Sequence, residues 1–176
     1  YVLKISNPSE NLNILLYQDR LIKYLSTTEG LKTYIPKILH KKIVKYLDTK
    51  NRECFVRILS YIDGQMYGDI KTNSNIEKSL GELLGMTSVQ LKTFFDKDAY
   101  RKFIWDPSNI DWLYREIKIF TGNKKLILLN CYSEYEKLVK NNLNNLRYSI
   151  THSDPNNYNL VVKNNKVNGL LDYGDS

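Results

Sequence analysis

The sequence predicts an α+β fold, and three observations predict it. β-branched and aromatic runs cluster near both ends of the chain, apolar residues recur at three- and four-residue spacing from about residue 75 to 147, and Asn, Asp, Gly and Pro mark the changes between these patterns. At 176 residues with 42% hydrophobic content, the chain can bury a core as one ordinary domain or two small lobes.

Each element follows from its residues. "YVLKI" at the start reads as a strand. "NPSE" after it carries helix-start signals: Asn7 as N-cap, Pro8 at the first helical position and Glu10 three residues beyond the cap. A helix is expected from about residue 8, with Leu12, Leu15, Leu16, Leu21, Ile22 and Leu25 as its apolar stripe and Gly30 as its stop. "KKIVKYL" and "ECFVRILSYI", separated by "DTKNR", read as a hairpin. The two glycines of "DGQMYGD" mark a linker, so a boundary is expected near residues 61–68, dividing 1–62 from 63–176.

The helical block follows as "NIEKSLGELLGMT", "SVQLKTFFDKDAYRKFIW", "NIDWLYREIKIFTG" and "SEYEKLVKNNLNNL". Ser74 and Glu77 have capping-box spacing, Ser88 is a candidate cap for a following helix, and Pro107 starts a break. Trp105 and Trp112 read as core residues and Asp106 as a cap. Strand character returns in "YSI", "NLVVK" and "KVNGLLD", with Asn164-Asn165 as a tight turn between the last two.

Composition excludes more than it assigns. The net charge of +7 comes from lysines spread among acidic residues without long runs, which reads as a solvated basic surface rather than a nucleic-acid footprint; it also suits a phosphate-bearing small ligand. Cys54 and Cys131 are far apart and lack metal spacing, so free thiols in a reducing, cytoplasmic compartment are expected. No apolar run approaches the roughly 18–20 residues that cross a bilayer, so no membrane association is expected. The chain opens inside a strand pattern without Met and stops just after a motif, as a fragment of a longer protein would.

Chemistry concentrates in the last segment. His152-x-Asp154, with Asn159 five residues after the Asp, has the spacing of a phosphoryl-transfer catalytic loop, in which the Asp faces the acceptor hydroxyl and the Asn holds a metal. Asp172-Tyr173-Gly174 follows across the hairpin, where a carboxylate would chelate Mg²⁺; one carboxylate, one amide oxygen, phosphates and water suit that hard ion. Lys4, on a strand before a helix, is placed to reach the α- and β-phosphates. Taken alone, Asp154-Pro155-Asn156-Asn157 is a turn signature, and the site reading depends on Asn159 and Asp172.

"THSDPNNYNLVV" followed by "VNGLLDYGDS" resembles the pattern of the aminoglycoside phosphotransferase-like small-molecule kinases, which share the protein-kinase fold; the likeness is greatest to the branch of hydroxylysine kinase and the aminotransferase-fused phosphotransferases. "YVLKISNP", "ILSYIDGQMY" and "IWD" at 104–106 extend the resemblance over most of the chain. It implies a two-lobed kinase-like fold, with an incomplete β-rich N-lobe and a truncated, mainly helical C-lobe. It also implies Asp154 as catalytic base, Asn159 and Asp172 as Mg²⁺ ligands, Lys4 on the phosphates and a hinge at 57–62 whose Ser60, Tyr61 and Ile62 meet the nucleotide base.

By the same resemblance ATP or GTP is the phosphate donor and a hydroxyl of a small, amino-bearing molecule is the acceptor, with the oligomeric state left open. A kinase-like nucleotide-binding scaffold is the alternative, and protein kinase activity ranks third because the loop lacks the Arg of His-Arg-Asp.

The chain departs from the family pattern at four points. Ser153 stands where a glycine is usual, and Pro155 follows the base, disfavouring the α region for Asp154. Arg20 stands where the family has a helix glutamate, so Asp19, about 100° around the helix, is the candidate carboxylate for Lys4. The nucleotide-covering strands and the acceptor-shaping helices are not in the sequence. His152 is expected to support the loop rather than do chemistry, Asp175 is a candidate second acidic contact, and Tyr173 is expected to pack as an aromatic plug if its hydroxyl finds a partner.

Overall fold

Two antiparallel sheets and two helices make up the first of two units, residues 1–99 with 149–176. The structure is a computed structural model that describes residues 1–102 and 104–176. In this unit β1 is Val2–Ile5, α1 is Leu12–Thr27, β2 is Val44–Leu47, β3 is Glu53–Leu59, β4 is Gln65–Met66, α2 is Ser74–Leu91, β5 is Leu160–Lys163 and β6 is Lys166–Leu170. One sheet has the order β1-β3-β2 and the other β4-β5-β6.

The expected first strand and hairpin form: β1 pairs with β3 with Lys4 opposite Arg57, and β2 pairs with β3 with Val44 opposite Val56. Helix α1 starts later than the Asn7-Pro8 signal implies. Residues 7–10 make a separate turn, with Glu10 N–H donating to Asn7 O at 3.1 Å, and Asn11 is the cap, its Oδ1 accepting from Asn13 N–H at 2.8 Å. The buried stripe is also narrower than expected: Leu15, Leu21, Ile22 and Leu25 are buried with Tyr17 and Gln18, whereas Leu12 and Leu16, although helical, stay exposed.

Asn73, not Ser74, caps α2; its Oδ1 accepts from Asn75 and Ile76 N–H while its Nδ2 donates to Asn165 in the β5–β6 turn. Ser88 lies inside α2 and caps nothing, because the helix runs through the first segment and on to Leu91 in the second, whose described remainder forms turns and a 3-10 helix at Lys97–Ala99 instead of the expected helix. The periodic stretch after it includes Phe103, which lies outside the described residues.

The β5–β6 hairpin closes through Asn164 (φ 51°) and Asn165 (φ 61°), the left-handed conformations that a tight turn needs and asparagine tolerates. β6 carries one extra residue opposite the Val161/Val162 step, a β-bulge. "YSI" is not a strand: among the described residues no strand pairs with it. Leu160, Val162, Val167, Leu170 and Tyr173 share one core with Tyr17, Leu21 and Leu25 of α1 and Ile76, Leu83 and Leu91 of α2. Val167 N–H donates to Ser79 Oγ of α2 at 2.9 Å, so the hairpin is both packed and bonded to the helix.

The second unit, residues 100–148, holds α3 (Asp111–Glu116) and α4 (Gly122–Leu138) with 3-10 turns around them. Asp106 caps the turn begun by Pro107, its Oδ1 accepting from Ser108 N–H at 2.8 Å. Trp105 is exposed, not core. α4 begins earlier than the periodicity indicated and buries none of its residues. No helix among the described residues is long and apolar enough to cross a membrane.

Candidate functional site

The loop before β5 is built around His152. Its ring is buried, stands edge-on to Tyr173 with centroids 4.8 Å apart, and lies with Nε2 2.8 Å from Leu171 O. A carbonyl only accepts, so Nε2 carries the proton. Burial pushes the imidazole pKa below its ordinary value, although Asp154, Asp172 and Asp175 each pull it upward. His152 therefore ties the loop to the segment that bears Asp172. Tyr173 is the expected plug, fully buried with its hydroxyl donating to Leu170 O at 3.4 Å, and burial raises its pKa strongly.

Ser153 occupies the glycine position at φ 63°, and Asp154 N–H donates back to His152 O at 2.8 Å, a γ-turn that leads into Asp154. Two amides then fix its carboxylate: Asn156 Nδ2 at 2.8 Å and Asn159 Nδ2 at 3.1 Å, both on Oδ2. Asn159 Nδ2 also donates to Asp154 O at 2.9 Å. Asp154 Oδ1 has no hydrogen-bond partner among the described residues, so a proton-accepting oxygen is left open.

Asn159 is in turn bonded to the second motif, since Leu171 N–H donates to Asn159 O at 2.7 Å. The hairpin brings the two together as its spacing implies. Asp172 follows at φ 55°, with Oδ1 accepting from Gly174 N–H at 3.2 Å and Oδ2 lying 3.2 Å from Lys4 Nζ. This pair is half-exposed, at 34% for Lys4 and 50% for Asp172, which leaves it reachable by a ligand. Both N–H bonds of the Asn159 amide are directed at Asp154, and its Oδ1, with no hydrogen-bond partner among the described residues, is a neutral oxygen donor beside a carboxylate. Among the described residues no group of three or more His, Cys, Asp or Glu could hold a metal ion, so a cation here would need oxygens from its ligand and water.

Not every candidate joins this cluster. Asp19 does not meet Lys4: its Oδ1 accepts from Arg57 at 3.1 Å and its Oδ2 from His40 Nε2 at 2.8 Å. Arg20 faces away, donating to Asp96 at 2.6 and 2.9 Å and to Asp98 at 2.8 Å, and these carboxylates raise its pKa. Ser60 is engaged with Lys37, through its N–H to Lys37 O and its Oγ from Lys37 N–H, both at 2.8 Å. The backbone groups of Tyr61 and Ile62 make no hydrogen bond among the described residues. Ile62 packs so closely on Gly169 that a Cβ there would meet its Cγ2 at 2.8 Å. Asp63 next to it is tied to the hairpin by Lys163 and Asn168. Asp175 is half-buried, and its charge acts on His152.

Three residues of this arrangement escape a sequence reading. Asn156 lies within a turn signature that hides its donation to Asp154. Arg57 and His40 carry no motif; the one available signal is an arginine inside an otherwise apolar strand run.

The chain matches the APH phosphotransferase enzyme family over residues 1–176. It is 24% identical over 198 residues to the hydroxylysine kinase of Xenopus laevis, a match that takes in 99% of this chain and 53% of that protein. It is 30% identical over 186 residues to the Wadjet protein JetD of Bacillus cereus (strain Q1), covering 93% of this chain and 45% of that protein. The chain thus spans about half the length of the curated relatives it matches. Among solved structures, amicoumacin kinase hAmiN in complex with AMP-PNP and Ca²⁺ superposes with a TM-score of 0.70 at 18% identity, over 98% of this chain and 52% of that one. The α+β fold is therefore kinase-like, and with its whole length matched the chain belongs to the APH phosphotransferase enzyme family.

Proposed function

We propose that this chain carries the catalytic centre of a nucleotide-dependent phosphotransferase acting on a hydroxyl of a small, amino-bearing molecule. The observation that supports this most is the bonded series Asp154, Asn159, Leu171, Asp172, which gathers a base, an amide oxygen and a carboxylate into one cluster. In this reading Asp154 Oδ1 receives the acceptor hydroxyl's hydrogen bond and then its proton, while Asn156 and Asn159 hold Oδ2 still. Asn159 Oδ1 and the Asp172 carboxylate would hold Mg²⁺, which when bound supplies charge neutralisation at the transferring phosphoryl group. Lys4 meets the phosphates from β1, and the unengaged backbone of Tyr61 and Ile62 meets the base of ATP or GTP. His152 positions the loop. The amino-bearing acceptor is supported by the hydroxylysine kinase relative.

In the full-length protein, Asp154→Asn is expected to lower phosphate transfer by about 10³-fold while leaving Mg–nucleotide affinity by calorimetry within about threefold. Turnover near the parent rate would remove Asp154 from the role of base. Asp172→Ala is expected to abolish the metal dependence of nucleotide binding; unchanged Mg–ATP affinity would remove that ligand.

One observation favours a scaffold instead: Arg20 is turned to Asp96 and Asp98, and no α1 carboxylate reaches Lys4. Nucleotide-dependent thermal stabilisation without release of a phosphorylated acceptor would favour that reading.

A further inference from the structure

Lys4 and Arg57 stand directly opposite each other in the β1–β3 ladder, so their side chains leave the same face of the sheet. Two like charges so placed repel, at a spacing of about 5 Å between Cβ atoms. Their surroundings differ. Arg57 is buried and its guanidinium makes three hydrogen bonds, donating to Gln18 Oε1 at 2.8 Å, to Asp19 Oδ1 at 3.1 Å and to Leu15 O at 3.5 Å. All three acceptors are on α1. Asp19 is engaged a second time by His40 Nε2, and His40 Nδ1 accepts from Ile58 N–H at 3.1 Å, so the same carboxylate is linked to β3 by two routes. Lys4 has no partner on α1 and ends on Asp172.

We infer that Arg57 is a positioning residue for Lys4: by occupying Asp19 it docks α1 without the lysine, and by its fixed charge it directs the Lys4 ammonium off the sheet toward Asp172. Helix docking and phosphate contact are thereby divided between two cations. The expected change in nucleotide affinity rests on the proposed role of Lys4; the placement of Lys4 is independent of it.

The test uses the full-length protein with Arg57→Met, Arg57→Gln, Asp19→Asn, the double variant Arg57→Met/Asp19→Asn, and Lys4→Met. The readouts are the acetylation rate of Lys4 by mass spectrometry, the thermal midpoint, and Mg–ATP affinity. Removing Arg57 frees Asp19 Oδ1 while His40 keeps Oδ2, and the carboxylate that has lost its guanidinium draws Lys4 to it, so Lys4 acetylation and nucleotide affinity are expected to fall about tenfold. The double variant, with no carboxylate to capture the lysine, is expected to restore both. Lys4→Met is expected to leave the midpoint unchanged.

Unaltered Lys4 reactivity in both Arg57 variants would overturn the inference, as would a midpoint drop in Lys4→Met equal to that of Arg57→Met, since the lysine would then dock the helix itself. Should Arg57→Met not fold, Arg57→Gln with Asp19→Asn decides by the same readouts. Absence of nucleotide binding in the parent would count against the proposed function, while acetylation and midpoints would still decide this one.

Discussion

Asp19 and Asp154 are each held by two side chains, yet the two regions use opposite means. Asp19 meets a buried guanidinium and a buried imidazole, which occupy both of its oxygens. Asp154 meets two neutral amides, both on Oδ2, on a loop that stays partly open. A carboxylate neutralised by a buried cation contributes to holding elements together and has no oxygen left for a ligand. A carboxylate fixed by amides keeps its charge and one free oxygen, as a proton acceptor needs. Charge compensation, rather than rigidity, separates the structural aspartate from the one proposed as the base.

The largest effect that would sharpen this contrast is on stability. Asp19→Ala leaves Arg57 buried without its charge partner and is expected to cost about 3–5 kcal/mol in urea unfolding. Asp154→Ala gives up hydrogen bonds at a partly exposed site and is expected to cost about 1 kcal/mol or less. Equal losses in the two variants would end the distinction, because Asp154 would then also be a structural anchor.

The same contrast explains what the sequence discloses. The hairpin, its Asn164-Asn165 turn and the spacing of His152, Asp154, Asn159 and Asp172 are local, and local backbone rules suffice to read them. The pairing of Lys4 with Asp172 and of Asp19 with Arg57 depends on how distant segments pack, and no period or spacing encodes it. The misplaced helix start shows a local rule divided between two asparagines: Asn7 and Asn11 are both competent caps, and the chain closes a turn at residues 7–10 before Asn11 caps the helix. "YSI" has strand-forming residues but no neighbouring strand, and β-propensity without a partner makes no strand.

A second, smaller effect concerns the link between the loop and the Asp172 segment. Burial holds the folded-state pKa of His152 below its unfolded value, so the unfolded chain binds the extra proton and folding is favoured when the ring is neutral. This contribution is complete above about pH 6.5 and is lost as the pH falls from there toward the folded pKa. The stability advantage of the parent over His152→Gln is therefore expected to shrink on acidification from pH 7.5 to 4.5, by at most about 1.4 kcal/mol per pH unit. A difference that stays flat would mean that the ring takes up its proton as readily in the folded state as in the unfolded chain, and burial of the ring would no longer distinguish this loop from the charged Asp19 node.

The smallest effect bears on how the loop aims Asp154. Ser153 holds φ 63° with a Cβ, a conformation that costs an L-residue roughly 1 kcal/mol or more, and it recovers part of that through the 2.8 Å hydrogen bond between its hydroxyl and Thr151. Ser153→Ala keeps the strain and loses the bond; Ser153→Gly loses the bond and relieves the strain. Glycine is therefore expected to exceed alanine by about 1 kcal/mol in unfolding free energy, and to match or slightly exceed the parent. If alanine were as stable as glycine, the left-handed turn would not be imposed on residue 153. The orientation of Asp154 would then depend on the Asn156 and Asn159 amides alone, which would make the loop more like the Asp19 node, a carboxylate placed by its side-chain partners rather than by its backbone.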